Sequence, residues 1–139
     1  MIIIYKIVEL SNGIRVLYEN IDFVDSVTTG VWIGTGSAME SELNNGVSHY
    51  LEHMFFKGTE RFGAKEIAER IENLGGQLNA LTAKEYTCFY DKVLSEHVEQ
   101  AVDTLADMLL YSKFSEKDLE LERKVILEEI NMSEDTPEE

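Results

Sequence analysis

The chain's 139 residues are one domain's worth, and 44% hydrophobic content with a single proline excludes a linker, a disordered tail or a collagen-like repeat. Acidic residues outnumber basic ones 27 to 12, a net charge of −15; phosphate backbones and anionic lipid surfaces would repel such a chain, so neither nucleic acid nor membrane is expected as a partner. One cysteine, Cys88, excludes an internal disulfide, and with no membrane span, signal peptide or Arg-rich leader legible the sequence reads as cytoplasmic or as already processed, cytoplasmic being the expected location.

In chain order, the β-branched and aromatic run Ile2 to Leu10, the turn Ser11-Asn12-Gly13 and the run Ile14 to Tyr18 predict a hairpin. Ser26 to Ile33 reads as another strand, released at Gly34-Thr35-Gly36-Ser37, with a loop from Met39 to Asn45. Val47 to Phe56 carries apolar residues at helical spacing, with Asn44 or Asn45 as N-cap and Lys57-Gly58 as the stop. A helix over Ala64 to Leu74, closed by Gly75-Gly76, leads to strands over Gln77 to Leu81 and Tyr86 to Val93. Ser95 is expected to cap a helix through Leu110 with Val98, Ala101, Val102, Leu105, Met108 and Leu109 on its buried face. Ser115 is expected to cap a second, through Asn131. The fold class is α+β: a mostly antiparallel sheet covered by helices, residues 1–139 forming a single domain. Asp135-Thr136-Pro137-Glu138-Glu139 has the signature of a further helix start, so the chain is expected to be truncated at its C-terminal end.

The chemistry concentrates in Ser48-His49-Tyr50-Leu51-Glu52-His53-Met54. Residues four apart on a helix differ by about 40°, so His49 and His53 project from one face as a pair of metal ligands. Glu52, about 60° to the other side of His49, is placed to take a proton from a water on that metal. Zinc with three protein ligands and an open fourth position suits such a set, whereas an isolated helix-surface histidine calls for no metal. The Met54-Phe55-Phe56 run is read as core, Cys88 as a buried thiol on a strand, and His97 as an exposed residue at a helix start.

A third ligand must come from elsewhere. Taking Leu119 as the zero of helical phase, Ile126 and Ile130 mark a buried stripe with Val125 on the same side; Glu122 and Glu129, seven apart, fall inside the apolar arc, and Glu128 points away. A carboxylate in such an arc calls for a metal or a cationic partner, which leaves Glu129 or Glu122 as the ligand.

His49-x-x-Glu52-His53, with Glu129 downstream, resembles the inverted zinc motif of the pitrilysin, insulysin and mitochondrial processing peptidase family. The segments Ser48 to Thr59 and Leu74 to Thr82, with Glu85 and Thr87, are similar to further signatures of that family, closest to the processing peptidases and their bacterial relatives. The resemblance implies one zinc ion per chain on His49, His53 and Glu129, Glu52 as general base, Glu122 as a supporting acid, and Asn79 and Ala80 on an edge strand that binds substrate backbone. It implies a zinc metalloendopeptidase acting on extended peptides, with basic peptides suited to the acidic chain, and a second homologous domain or subunit, absent from this chain, that closes a chamber and contributes an Arg and a Tyr to substrate. A non-catalytic peptide-binding or assembly subunit on the same fold is the alternative, and a structural domain whose histidines hold no metal a third.

Overall fold

The computed structural model describes residues 5–135, with side chains up to Met132. The expected beginning of the first strand at Ile2, and the part of the expected helix start from Thr136 onward, lie outside the described residues. Asp135 itself, expected to cap a new helix, is instead the last residue of an uninterrupted one. No Gly or Pro interrupts the chain between Asn131 and Asp135, so the helix runs past its expected end at Asn131.

Two antiparallel sheets are present. Strands β1 (Tyr5–Glu9) and β2 (Arg15–Glu19) form the expected hairpin across Asn12-Gly13. Every residue of the two strands is exposed. The second sheet has β5 (Thr87–Leu94) at its centre, flanked by β3 (Ser26–Ile33) and β4 (Gln77–Thr82). Both neighbours pair antiparallel without a bulge, Trp32 opposite Cys88 and Asn79 opposite Tyr90. Trp32 is 65% exposed and its ring lies over the Cα of Gly30, where any Cβ would meet ring atoms at 2.6 Å. Only glycine leaves that space free.

Helices α1 (Val47–Phe55), α2 (Ala64–Glu72), α3 (Val98–Tyr111) and α4 (Glu116–Asp135) complete the fold. The interior forms where α2 and α3 cover the three-stranded sheet: Phe89, Ile67, Ile71, Leu105, Met108, Met54 and Ala101 are each 1% exposed or less. Met54 is core as expected, and Phe55 and Phe56 pack their rings on Phe89 at 5.0 and 6.3 Å. Cys88 is buried.

Several expected caps differ. Gly46, not Asn44 or Asn45, is the N-cap of α1, at φ 87°, a conformation natural to glycine. The capping acceptor comes from outside the helix: the Glu40 carboxylate accepts the N–H groups of Gly46 and Ser48 at 2.6 and 2.7 Å, which holds its pKa below the ordinary carboxylate range. Asn44 instead accepts from Ser41 in a local turn. Ser95 opens a 3₁₀ turn over Ser95–His97 rather than capping α3, whose N-cap is the half-buried His97. Ser115 does cap α4, its Oγ accepting the Asp118 N–H at 3.2 Å.

Of the expected buried face of α3, Ala101, Leu105 and Met108 are buried and Val98 and Leu109 half-buried, but Val102 departs from it. Val102 is 46% exposed, while Thr104 and Asp107 are buried. Both polar groups are satisfied there. Thr59 donates to Asp107 at 2.5 Å and accepts the N–H groups of Arg61 and Phe62; Arg61 reaches Asp103 and Asp107; Arg70 reaches Asp103 and Thr104; and both guanidinium groups lie over the Phe62 ring, at 4.9 and 4.2 Å from its centre. This lattice fastens the segment after α1 to α3, so the end of the helix bearing the histidines is fixed.

Candidate metal centre

Helical spacing alone brings His49 and His53 to one face of α1, and α4 lies across that face. The Tyr50 hydroxyl donates to the Leu119 carbonyl at 2.6 Å, which ties the two helices one turn before Glu122. The Nε2 atoms of His49 and His53 face each other at 3.0 Å, and Glu129 Oε2 stands 3.8 and 3.7 Å from them. Among the described residues these three form the group of side chains able to hold a metal ion. Two ring nitrogens and a carboxylate oxygen converging on one point lack a stable arrangement unless a proton or cation sits between them. Tetrahedral zinc, with bonds of about 2.0–2.2 Å, separates its ligands by about 3.3–3.5 Å, so the observed spacings bracket what the ion needs. The donor set fits zinc.

Glu122 is 4% exposed and paired on both oxygens. One lies 2.8 Å from His53 Nδ1, the other 2.5 Å from Lys57 Nζ. Burial works to raise its pKa, and the hydrogen bonds from Lys57 and His53 outweigh that and hold it below the ordinary range. The bond to Nδ1 leaves Nε2 of His53 as the atom that faces Glu129. Glu52, half-buried, accepts a hydrogen bond from the Thr82 hydroxyl at the end of β4. Asn79 and Ala80 lie on β4, which pairs with β5 on one side and is an edge of its sheet; Asn79 Oδ1 takes the Ala80 N–H at 2.9 Å.

The phase argument for α4 is half right. Glu122 and Ile126 are buried, and Glu128 is exposed. Glu129 does not sit in an apolar arc: its side chain is 47% exposed, and Val125 and Ile130 are 43% and 46% exposed. The reason is that α4 packs chiefly on α1, so the stripe narrows to the turns facing that one helix. Glu129 therefore reaches the histidines from the solvent side. Lys57, Thr82, Glu40 and Tyr50 were not singled out from the sequence as parts of the site. Lys57 and Thr82 lie inside the segments that carry the family resemblance, the one signal available for them.

Residues 15–139 match the family model described as insulinase (peptidase family M16). The chain is 56% identical over 128 residues to an uncharacterized zinc protease, YmxG, of Bacillus subtilis, covering 92% of this chain and 31% of that protein. It is 48% identical over 125 residues to a probable mitochondrial-processing peptidase subunit beta of Arabidopsis thaliana, covering 90% and 24%. The crystal structure of pitrilysin superposes with a TM-score of 0.83 at 32% identity, over 94% of this chain and 14% of the other. The chain thus spans less than a third of the length of these relatives. Within that span, the matched sequence, the antiparallel sheet with its four helices and the histidine-bearing helix identify it as a member of peptidase family M16, the insulinase family.

Proposed function

We propose that the chain is the zinc-binding portion of a metalloendopeptidase that cleaves extended peptides. The observation that carries this is the convergence of His49, His53 and Glu129 on one point, with an oxygen and two nitrogens at zinc-compatible spacing. In this reading His49, His53 and Glu129 hold one zinc ion, which supplies Lewis acidity to water and to the scissile carbonyl. Glu52 is the general base. Its carboxylate would take the proton of the attacking water and hand it to the amine that leaves as the peptide C–N bond breaks, with the Thr82 hydroxyl holding Oε2 and leaving Oε1 for that transfer. Glu122 supports His53 through Nδ1.

Substrate backbone adds to the free edge of β4 at Asn79 and Ala80, the Asn79 amide swinging off the Ala80 N–H to admit it. Edge pairing recognises any extended peptide, so selectivity falls to side-chain pockets. A second homologous domain or subunit, outside this chain, closes the chamber over that edge.

The test is zinc stoichiometry and peptide hydrolysis by the full-length protein. Glu52→Gln is expected to retain about one zinc per chain and lose cleavage by a factor on the order of 10² to 10⁴. Zinc-free protein of native fold, or cleavage at the normal rate by Glu52→Gln, overturns the reading. Tight peptide binding with zinc bound and no cleavage by the unaltered protein favours a binding or assembly subunit instead.

A further inference from the structure

We infer that Lys57 is a positioning residue for the proposed zinc site: its ammonium fixes the Glu122 carboxylate and, through it, the ring of His53. The inference rests on the zinc reading above and adds a residue to it. Glu122 has two polar restraints among the described residues, His53 on Oε1 at 2.8 Å and Lys57 on Oε2 at 2.5 Å. Glu122 is buried, yet with Glu52, His53, Phe56 and Lys57 it lines an open cleft of about 240 Å³, so part of its surface borders free space and the two polar restraints carry its orientation there. A carboxylate free to turn there no longer fixes the plane or the tautomer of the imidazole, and the direction of Nε2 is what determines whether His53 points at the same spot as His49 and Glu129.

Lys57 is itself well placed for this task. It follows the last turn of α1, where the chain is fastened to α3 through Thr59 and Arg61, so the base of its side chain is anchored while the side chain, 35% exposed, reaches across to α4. The contact joins residues 65 positions apart and bridges the helix that carries the histidines to the helix that carries Glu129.

Two roles for an ammonium beside a cation site predict opposite signs. Acting only as a charge, Lys57 repels a divalent ion, and removing it tightens zinc. Acting through Glu122, it holds a ligand in place, and removing it weakens zinc. The experiment is competition of the full-length protein with a chromophoric chelator for zinc. Lys57→Met is expected to raise the zinc Kd about tenfold, the lower end for loss of a ligand's supporting partner, and Lys57→Arg to recover most of it. In a Glu122→Gln background Lys57→Met is expected to add nothing, since its effect passes through that carboxylate. A long-range ¹H–¹⁵N spectrum of the zinc-loaded protein is expected to show the His53 Nδ1 proton in the unaltered protein and to lose or broaden it in Lys57→Met.

Unchanged or tighter zinc in a folded Lys57→Met, or an equal loss in the Glu122→Gln background, overturns the inference. Lys57→Gln, which keeps length and a donor, replaces the Met variant if that one does not fold, with the same expectations. Glu129→Ala separates the two levels. If it too leaves zinc binding unchanged, the zinc site has failed; if it weakens binding and the Lys57 variants do not, only the role of Lys57 has.

Discussion

Beneath α2 and α3 the contacts are apolar and dense, with Phe89, Ile71, Leu105 and Met108 packed out of water, and the buried polar groups Thr104 and Asp107 matched by Arg70, Arg61 and Thr59. Between α1 and α4 the contacts are polar: a tyrosine hydroxyl on a carbonyl, a lysine and a histidine on one carboxylate, and three ligand atoms facing one another, with Ile126 as the buried apolar residue of α4. The difference teaches where stability and chemistry reside. Apolar packing fixes the sheet and α3 without regard to metal, and α4 docks through groups whose arrangement depends on what they bind.

The largest effect should come from the apolar side. Ile71→Ala, in the cluster with Val93 and Ala101, is expected to destabilise by about 2–5 kcal/mol in urea unfolding, with zinc affinity per folded molecule unchanged; a loss under about 1 kcal/mol would break the comparison. Zinc at a hundred times its Kd should stabilise by about 2.7 kcal/mol, read as a rise in Tm that chelator reverses and His49→Ala abolishes. A zinc-dependent rise surviving in His49→Ala would place the ion elsewhere.

Asp91 sharpens the contrast from within the interior. It is fully buried on β5, and neither carboxylate oxygen has a hydrogen-bond partner among the described residues; burial pushes its pKa up to about 6, with the polar groups of Thr29 opposite pulling the other way. The folded pKa lies above the unfolded value of about 3.9, so Asp91's contribution is full below pH 4 and is lost as pH rises through about 6. Asp91→Asn is therefore expected to be more stable than the unaltered protein at pH 7 by about 2–3 kcal/mol, and to flatten the slope between pH 4 and 7; equal pH profiles would show a partner for the carboxylate. The smallest effect is at the seam. Tyr50→Phe removes one hydrogen bond and should cost about 1 kcal/mol, with faster amide exchange in α4 than in α3.

Much of this was legible in the sequence, for reasons that differ by element. The hairpin, the strands and the spacing of His49, Glu52 and His53 follow from periods of two and 3.6 residues and from turn chemistry, all local. What was not legible reaches across the chain. Glu40 caps a helix from outside it, Thr82 meets Glu52 over thirty positions, and Lys57 meets Glu122 over sixty-five. No local pattern encodes such pairs. Val102 was misplaced because apolar identity suggested burial, whereas Thr104 and Asp107 took the inner face once Arg70, Thr59 and Arg61 satisfied them.

The chain's single tryptophan stands exposed on β3, over Gly30, and is no part of the seam between α1 and α4. Its emission in this folded segment will therefore be that of a water-exposed indole, already red-shifted, with little further to move on unfolding and little to report when a metal enters. Loading of the site needs its own optical signal, such as the visible absorption of cobalt in place of zinc.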